Sequence, residues 1–294
     1  MQSGVGASVE LSGERLPPRL SDLSRPPERL HLLGELPRGP AVAVVGTRRA
    51  SPEGLAFTRA LAAELAAAGV AVLSGGAKGI DTAAHEGALD VGGVTVVVTP
   101  AGFHRPFPKE NAELFQRVVA SGGAYLSLFP DDAPADRPTF FARNACLVAL
   151  AHAVVVTQSP FISGASNAAK WARQLGRPLY IVPHSPWVKE GSGAIQELRR
   201  GGRPLDRAKE VLMFLRAAGH HALGPPAQGE QRPAVAPPDA DPVLHAVREG
   251  ASHADEIAER TGLSLATVQQ RILTLALSGV LVPGPLGSLK LITD

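Results

Sequence analysis

Six short apolar runs recur through the first 182 residues: 41–45 (AVAVV), 70–73 (VAVL), 94–98 (VTVVV), 124–128 (AYLSL), 153–157 (AVVVT) and 179–182 (LYIV). They carry almost no polar interruption, so they predict strands buried on both faces rather than half-solvated ones. Between them lie helical patterns: Phe57, Leu61 and Leu65; residues 111–120; the stretch with Phe140, Phe141, Leu147 and Leu150; 167–175; and 206–217 after the last run. Alternation of this kind predicts an α/β fold, a doubly wound Rossmann-like parallel sheet over residues 41–223. Ligands of such sheets bind beyond the carboxyl ends of the strands, near the point where strand order reverses. The loops after Val45, Leu73, Val98 and Thr157 are therefore the ones to watch.

The flanks read differently. Residues 1–15 are polar and without period, which predicts a flexible terminus. Residues 16–40 contain paired prolines between apolar clusters and read as an arm packed on the core. Residues 224–240 hold five prolines and read as a stiff linker. Beyond it, 242–249, 254–260 and 265–277 predict three short helices, with Ser264 as an N-cap. A hairpin follows, 280–282 and 289–292 around the turn 283–287. Three helices and a hairpin form a winged helix built on a helix-turn-helix.

Composition narrows the classes. At 45% apolar content, 294 residues are ample for a packed core. No apolar run approaches membrane-spanning length and no leader opens the chain, so a cytoplasmic protein is expected. The single cysteine, Cys146, excludes an internal disulfide and fits a reducing compartment. A net charge of +2 is compatible with a local phosphate-binding groove. Residues 241–294 carry four basic and six acidic residues, a balance that suits protein contact better than the grip of duplex phosphates. Metal-ligand spacings, paired catalytic carboxylates and nucleophile motifs are lacking, so no metal, cofactor or enzymatic reaction is expected.

What remains is phosphate chemistry. In residues 70–89 (VAVLSGGAKGIDTAAHEGAL) a strand runs into Ser74, Gly75, Gly76, Ala77, Lys78 and Gly79 and then into a helix. Three glycines free the backbone to approach an anion, and Lys78 and the Ser74 hydroxyl add donors; Ser74 serves equally to close the strand. Arg48, two residues past the loop glycine Gly46, is placed to grip a phosphate in fork geometry, against the alternative of a solvated or ion-paired arginine. Asp81 would repel a phosphate and reads as a shaper of the turn, accepting the first N–H groups of its helix. His85 shares that face and would bond Asp81 or simply pack. In SPFISGASN, Ser163, Gly164 and Ser166 could offer donors to a second phosphate, with Lys170 one turn on. Arg143 and Asn144 follow Phe140 and Phe141, aromatics read as core in preference to base-stacking platforms.

Taken in order, VAVVGTRRASPEG, LSGGAKGIDTAAHEGAL, FPKENAELF, FFARN and SGASNAAKWA resemble the DNA-processing protein A family, also called Smf. The resemblance implies a protein of natural transformation that binds single-stranded DNA, forms a homodimer and loads the RecA recombinase on strands covered by single-strand-binding protein, without being an enzyme. It places strand-binding positions at Arg48, the loop from Ser74 to Gly79, Lys109, Arg143, Asn144, Ser163 and Gly164. The family's R-N-R is here Arg143-Asn144-Ala145, which removes one arginine, and its S-G-S is Ser163-Gly164-Ala165. Two alternatives are a nucleotide-processing phosphoribohydrolase-like enzyme, whose glutamate is lacking near 163–171, and a nucleotide-sensing winged-helix regulator.

Overall fold

The computed structural model describes residues 8–161, 163–185, 188–220, 241–277, 280–283 and 289–291. The chain divides into two compact units, 1–227 and 228–294.

In the first unit the six buried runs become β3 (Ala41–Val45), β4 (Ala71–Ser74), β5 (Thr95–Thr99), β6 (Ala124–Ser127), β7 (Ala153–Val156) and β8 (Leu179–Ile181). All pair in parallel. The helices are α1 (Pro52–Ala67), α2 (Ile80–Asp90), α3 (Ala112–Ala120), α4 (Arg137–Leu150), α5 (Gly164–Gln174), α6 (Ala194–Arg199) and α7 (Lys209–Ala217). Their starts are chemically marked. Ser51 accepts the Gly54 N–H ahead of Pro52, Asp136 and Thr139 form a reciprocal capping box, and Ser163 accepts the Ser166 N–H. One apolar cluster fills the face between the sheet and α4 and α5, and a second fills the face under α1, α2 and α7.

Two additional strands revise the reading of the amino-terminal region. Val9–Ser12 (β1) and Arg29–Gly34 (β2) extend the sheet antiparallel beyond β6, and the short Arg203–Pro204 (β9) ends its other edge, in the order β1-β2-β6-β5-β4-β3-β7-β8-β9. Residues 8–15 are thus a strand and a 3-10 turn rather than a loose tail, because β2, itself paired on β6, offers an open edge to β1, and Leu11 buries its side chain opposite Leu30. Residues 1–7 lie outside the described residues. The chain winds outward from β3 through β4 and β5 to β6, then returns to place β7 on the other side of β3. Strand order reverses there, between the loops that follow β3 and β7.

The second unit contains α8 (Pro242–Arg248), α9 (Ala254–Thr261) and α10 (Leu265–Leu277), with a hairpin of β10 (Leu281–Pro283) and β11 (Leu289–Leu291). Gly262 closes α9 in the left-handed conformation and Ser264 accepts the Thr267 N–H at the start of α10. This is a winged helix on its own apolar core of Val243, Leu244, Ile257, Val268 and Leu275. The expected linker 224–240 and the hairpin turn at 284–287 fall outside the described residues.

Candidate nucleic-acid interface

At the reversal point a cleft of about 820 Å³ opens over the carboxyl ends of β3 and β7. The loop after β3 supplies Gly46, Arg48 and Arg49, the start of α4 supplies Arg137, Phe140, Phe141, Arg143 and Asn144, and the α5 entry supplies Ser163 and Gly164. Arg48, Arg49 and Arg137 are exposed, and among the described residues no carboxylate pairs with them. The Arg48 guanidinium carbon lies 5.1 Å from the Phe140 ring centre and 5.9 Å from that of Phe107, while Arg137 lies 5.9 Å from Phe141. These are cation–π distances, which hold the charged groups against aromatic surface. Phe141 is 46% exposed. Phe140 and Phe141 therefore face the cleft, against the expectation that they are core.

The entry geometry is set by hydrogen bonds across the reversal point. Thr47 N–H donates to the Gln158 carbonyl at 2.7 Å, and the Gln158 side chain accepts the Ser51 N–H at 2.8 Å, tying the β3 loop to the β7 loop. Asn144 Nδ2 donates to Asn167 Oδ1 at 3.1 Å and joins α4 to α5. Ser163 caps α5 and bonds the Ser159 hydroxyl at 2.6 Å, leaving the exposed Gly164 at the positive end of the helix dipole.

The glycine loop after β4 departs most from the sequence reading. Gly75 and Gly76 are buried. A Cβ on Gly75 would lie 1.2 Å from Arg143 Nη1, and one on Gly76, at φ +72°, would lie 2.8 Å from the Phe115 ring. Gly79, at φ +81°, admits the Thr47 carbonyl 2.5 Å from where its Cβ would be. The three glycines thus let protein groups approach one another, and the loop is no open anion cradle. The Ser74 hydroxyl is buried and donates to the Val44 carbonyl at 2.6 Å, so it closes the sheet instead of facing a ligand. Lys78 is exposed but bonds Glu110 at 2.7 Å outside the cleft, and neither Lys109 nor Lys170 lines it.

Arg143 is 5% exposed and lies 4.0 Å from Asp81 Oδ2, which also accepts the Ala77 N–H at 3.2 Å. Asp81 therefore reaches back into the glycine turn; it does not cap its own helix, whose N-cap is Gly79. Burial raises the Asp81 pKa and Arg143 opposes the rise, while burial lowers that of Arg143. The ion pair supports the cleft floor, and Arg143 is a buried member of it rather than a surface phosphate grip. His85 does not meet Asp81. Its Nδ1 donates to Thr95 Oγ1 at 2.7 Å, because that hydroxyl spends its own proton on the Val72 carbonyl at 2.6 Å. Burial first, and Arg143 second, push the imidazole down to about 3.

Arg49, Arg137 and Phe107 were not singled out by the sequence reading. The detectable signal was Asp136-Arg137-Pro138-Thr139, a capping box with proline at the second helical position that starts α4 at the carboxyl edge of the sheet.

A Rossmann-like domain with an arginine- and phenylalanine-lined cleft at its switch point, followed by a winged helix, defines the class: a two-unit α/β protein with an appended helix-turn-helix module. Comparison with known proteins narrows it. The family model for DNA recombination-mediator protein A matches residues 9–216, and that for the DprA winged helix domain matches residues 225–285. The chain belongs to the DNA recombination-mediator protein A family. It is 39% identical over 248 residues to a putative DNA processing protein DprA of Mycobacterium tuberculosis, covering 82% of this chain and 61% of that protein. The match to protein Smf of Escherichia coli is 31% over 288 residues, 96% of this chain and 77% of the relative. The chain thus spans about three fifths of the length of the mycobacterial relative. DNA processing protein A of Streptococcus pneumoniae superimposes with a TM-score of 0.65 at 29% identity, over 70% of this chain and 73% of that one. The Helicobacter pylori protein, described for its single-stranded DNA binding mode, gives 0.65 and 29% over 72% and 96%. Among the described residues no helix is long and apolar enough to cross a membrane.

Proposed function

We propose that this chain binds single-stranded DNA in the arginine cleft and acts as a recombination mediator in the cytoplasm, a homodimer that loads the RecA recombinase on strands covered by single-strand-binding protein. The observation that carries the reading is the set of three exposed guanidiniums with no ion-pair partner within 4 Å among the described residues, two of them laid on phenylalanine rings beside an exposed ring face. Arginines meet phosphates without reading sequence, and aromatic faces stack on bases that are not already stacked in a duplex. The cleft's two carboxylates, Asp81 and Asp136, are engaged with Arg143 and with the α4 cap, which favours binding over catalysis. The single-stranded DNA binding mode described for the H. pylori relative supports the same ligand.

The winged helix is read as a protein-contact module. Arg271 of α10 bonds the buried Asp241 at 2.6 Å and is spent inside its own unit. Fluorescence anisotropy of a labelled single strand against its matched duplex tests the main proposal. The single strand is expected to bind at least tenfold more tightly; equal or stronger binding of the duplex refutes it.

A further inference from the structure

A cavity of about 600 Å³ lies against the amino end of β3 and the carboxyl end of α4 and shares no lining residue with the arginine cleft. Two proline-bearing segments, 14–19 and 36–39, wall it in. Its apolar surface comes from Leu16, Leu36, Leu73, Val96 and Leu150. Leu73 and Val96 are buried residues of β4 and β5, so the cavity reaches down to the sheet. Pro17, Pro18 and Pro37 add ring surface without a backbone N–H.

Three guanidiniums share this lining: the exposed Arg15 and Arg38 and the half-buried Arg19. Arg15 Nη1 donates to the Glu10 carbonyl and Arg19 Nη1 to the Ala151 carbonyl, both at 3.4 Å. A guanidinium carries five N–H donors, so these contacts leave most of the set available to a ligand. Among the described residues no carboxylate forms an ion pair with any of the three. Burial first and the nearby Arg177 second lower the Arg19 pKa, with Asp22 opposing, so a bound anion relieves both a desolvated charge and a like neighbour. His152 Nδ1 accepts the Ala41 N–H at 3.1 Å, and burial keeps the ring a neutral member of the lining.

We propose that this cavity is a binding site for aliphatic carboxylates, the chain lying on the leucine and proline surface and the head held by the guanidiniums. The size lies in the range of small-molecule sites, about 300–1,000 Å³. The lining selects by what it offers and by what it lacks. It holds no serine, threonine, asparagine, glutamine, tyrosine or phenylalanine, so a sugar or a nucleobase finds neither side-chain hydrogen bonds for its edges nor a benzene or phenol ring to stack on. The guanidinium fork matches a carboxylate bidentately. Glu14, the one carboxylate of the lining, opposes a doubly charged head more than a singly charged one.

Isothermal titration of the full chain with octanoate, octanol and octylammonium, which share one chain and differ in the charge of the head, tests this. Octanoate is expected to bind about tenfold more tightly than octanol, the scale of hydrogen bonds to a charged group, and octylammonium more weakly than either. Shortening octanoate to hexanoate costs about fifteenfold, two buried methylenes. Arg19→Gln weakens octanoate about tenfold. The exposed Arg38→Gln, which breaks no contact inside the protein, weakens it about threefold, and neither change alters octanol. Arg48→Ala, in the other cleft, binds octanoate as the wild type does. Absence of octanoate binding, equal affinity for octanoate and octylammonium, no gain with chain length, or wild-type affinity in both Arg19→Gln and Arg38→Gln overturns the proposal. Loss of octanoate binding in Arg48→Ala alone moves the ligand to the arginine cleft and overturns it as well.

Discussion

Exchange of His85 for asparagine removes a pH dependence that the wild-type first unit carries. The imidazole is fully buried, its Nδ1–H is given to Thr95, and Nε2 is closed to solvent with no acceptor among the described residues, so a second proton there would go unsolvated. Its pKa falls from the ordinary 6.5 to about 3. A base depressed on folding binds fewer protons in the folded than in the unfolded chain, so its stabilisation is complete above pH 6.5 and is lost as pH falls toward 3. At about 1.36 kcal/mol per pH unit, the loss between pH 7 and pH 5 is about 2 kcal/mol. Both tryptophans, Trp171 and Trp187, belong to the first unit, so urea unfolding followed by their fluorescence reports on it. His152, depressed to about 4 by burial and Arg19, titrates in the same window but is present in both proteins. The asparagine amide keeps a donor toward Thr95, and the variant is expected to lose about 2 kcal/mol less than wild type on going from pH 7 to pH 5. Identical slopes for the two proteins would refute the buried neutral imidazole.

The cleft makes two further predictions. With three exposed guanidiniums each neutralising one phosphate, the salt slope for a single strand is about −2, and Arg48→Ala brings it to about −1.4. A fourfold rise in salt then weakens the wild type roughly 18-fold and the variant roughly 7-fold, whereas Lys78→Ala, paired with Glu110 outside the cleft, keeps the wild-type slope. Deleting residues 241–294 is expected to leave single-strand affinity within about twofold of wild type, measured by anisotropy, since α10 spends Arg271 on Asp241; a loss of most duplex affinity on deletion would contradict the protein-contact reading.

The parallel strands were legible because each is a buried run with almost nothing polar in it, and runs such as AVAVV at 41–45 allow no other placement in a covered sheet. β1 escaped because a four-residue edge strand buries only Leu11, and β9 because two exposed residues carry no pattern. Within the site, Arg48 was legible from its place after a strand-ending glycine. The glycine loop was misread for a physical reason. Glycine marks close approach, but sequence does not say what approaches, and here the groups are Arg143, Phe115 and the Thr47 carbonyl. Phe141 and Arg137 could not be assigned to the cleft in advance, because which face of α4 turns outward is decided by packing against α5 and the sheet.

Photo-crosslinking of a single strand carrying 4-thiothymidine, followed by peptide mapping, tests the location of DNA most directly. Adducts are expected at Arg48–Arg49 and between residues 137 and 144, and Arg48→Ala is expected to reduce them. Adducts confined to the second unit, or to Arg15, Arg19 and Arg38 around the cavity beside His152, would contradict the assignment of the arginine cleft as the strand-binding site.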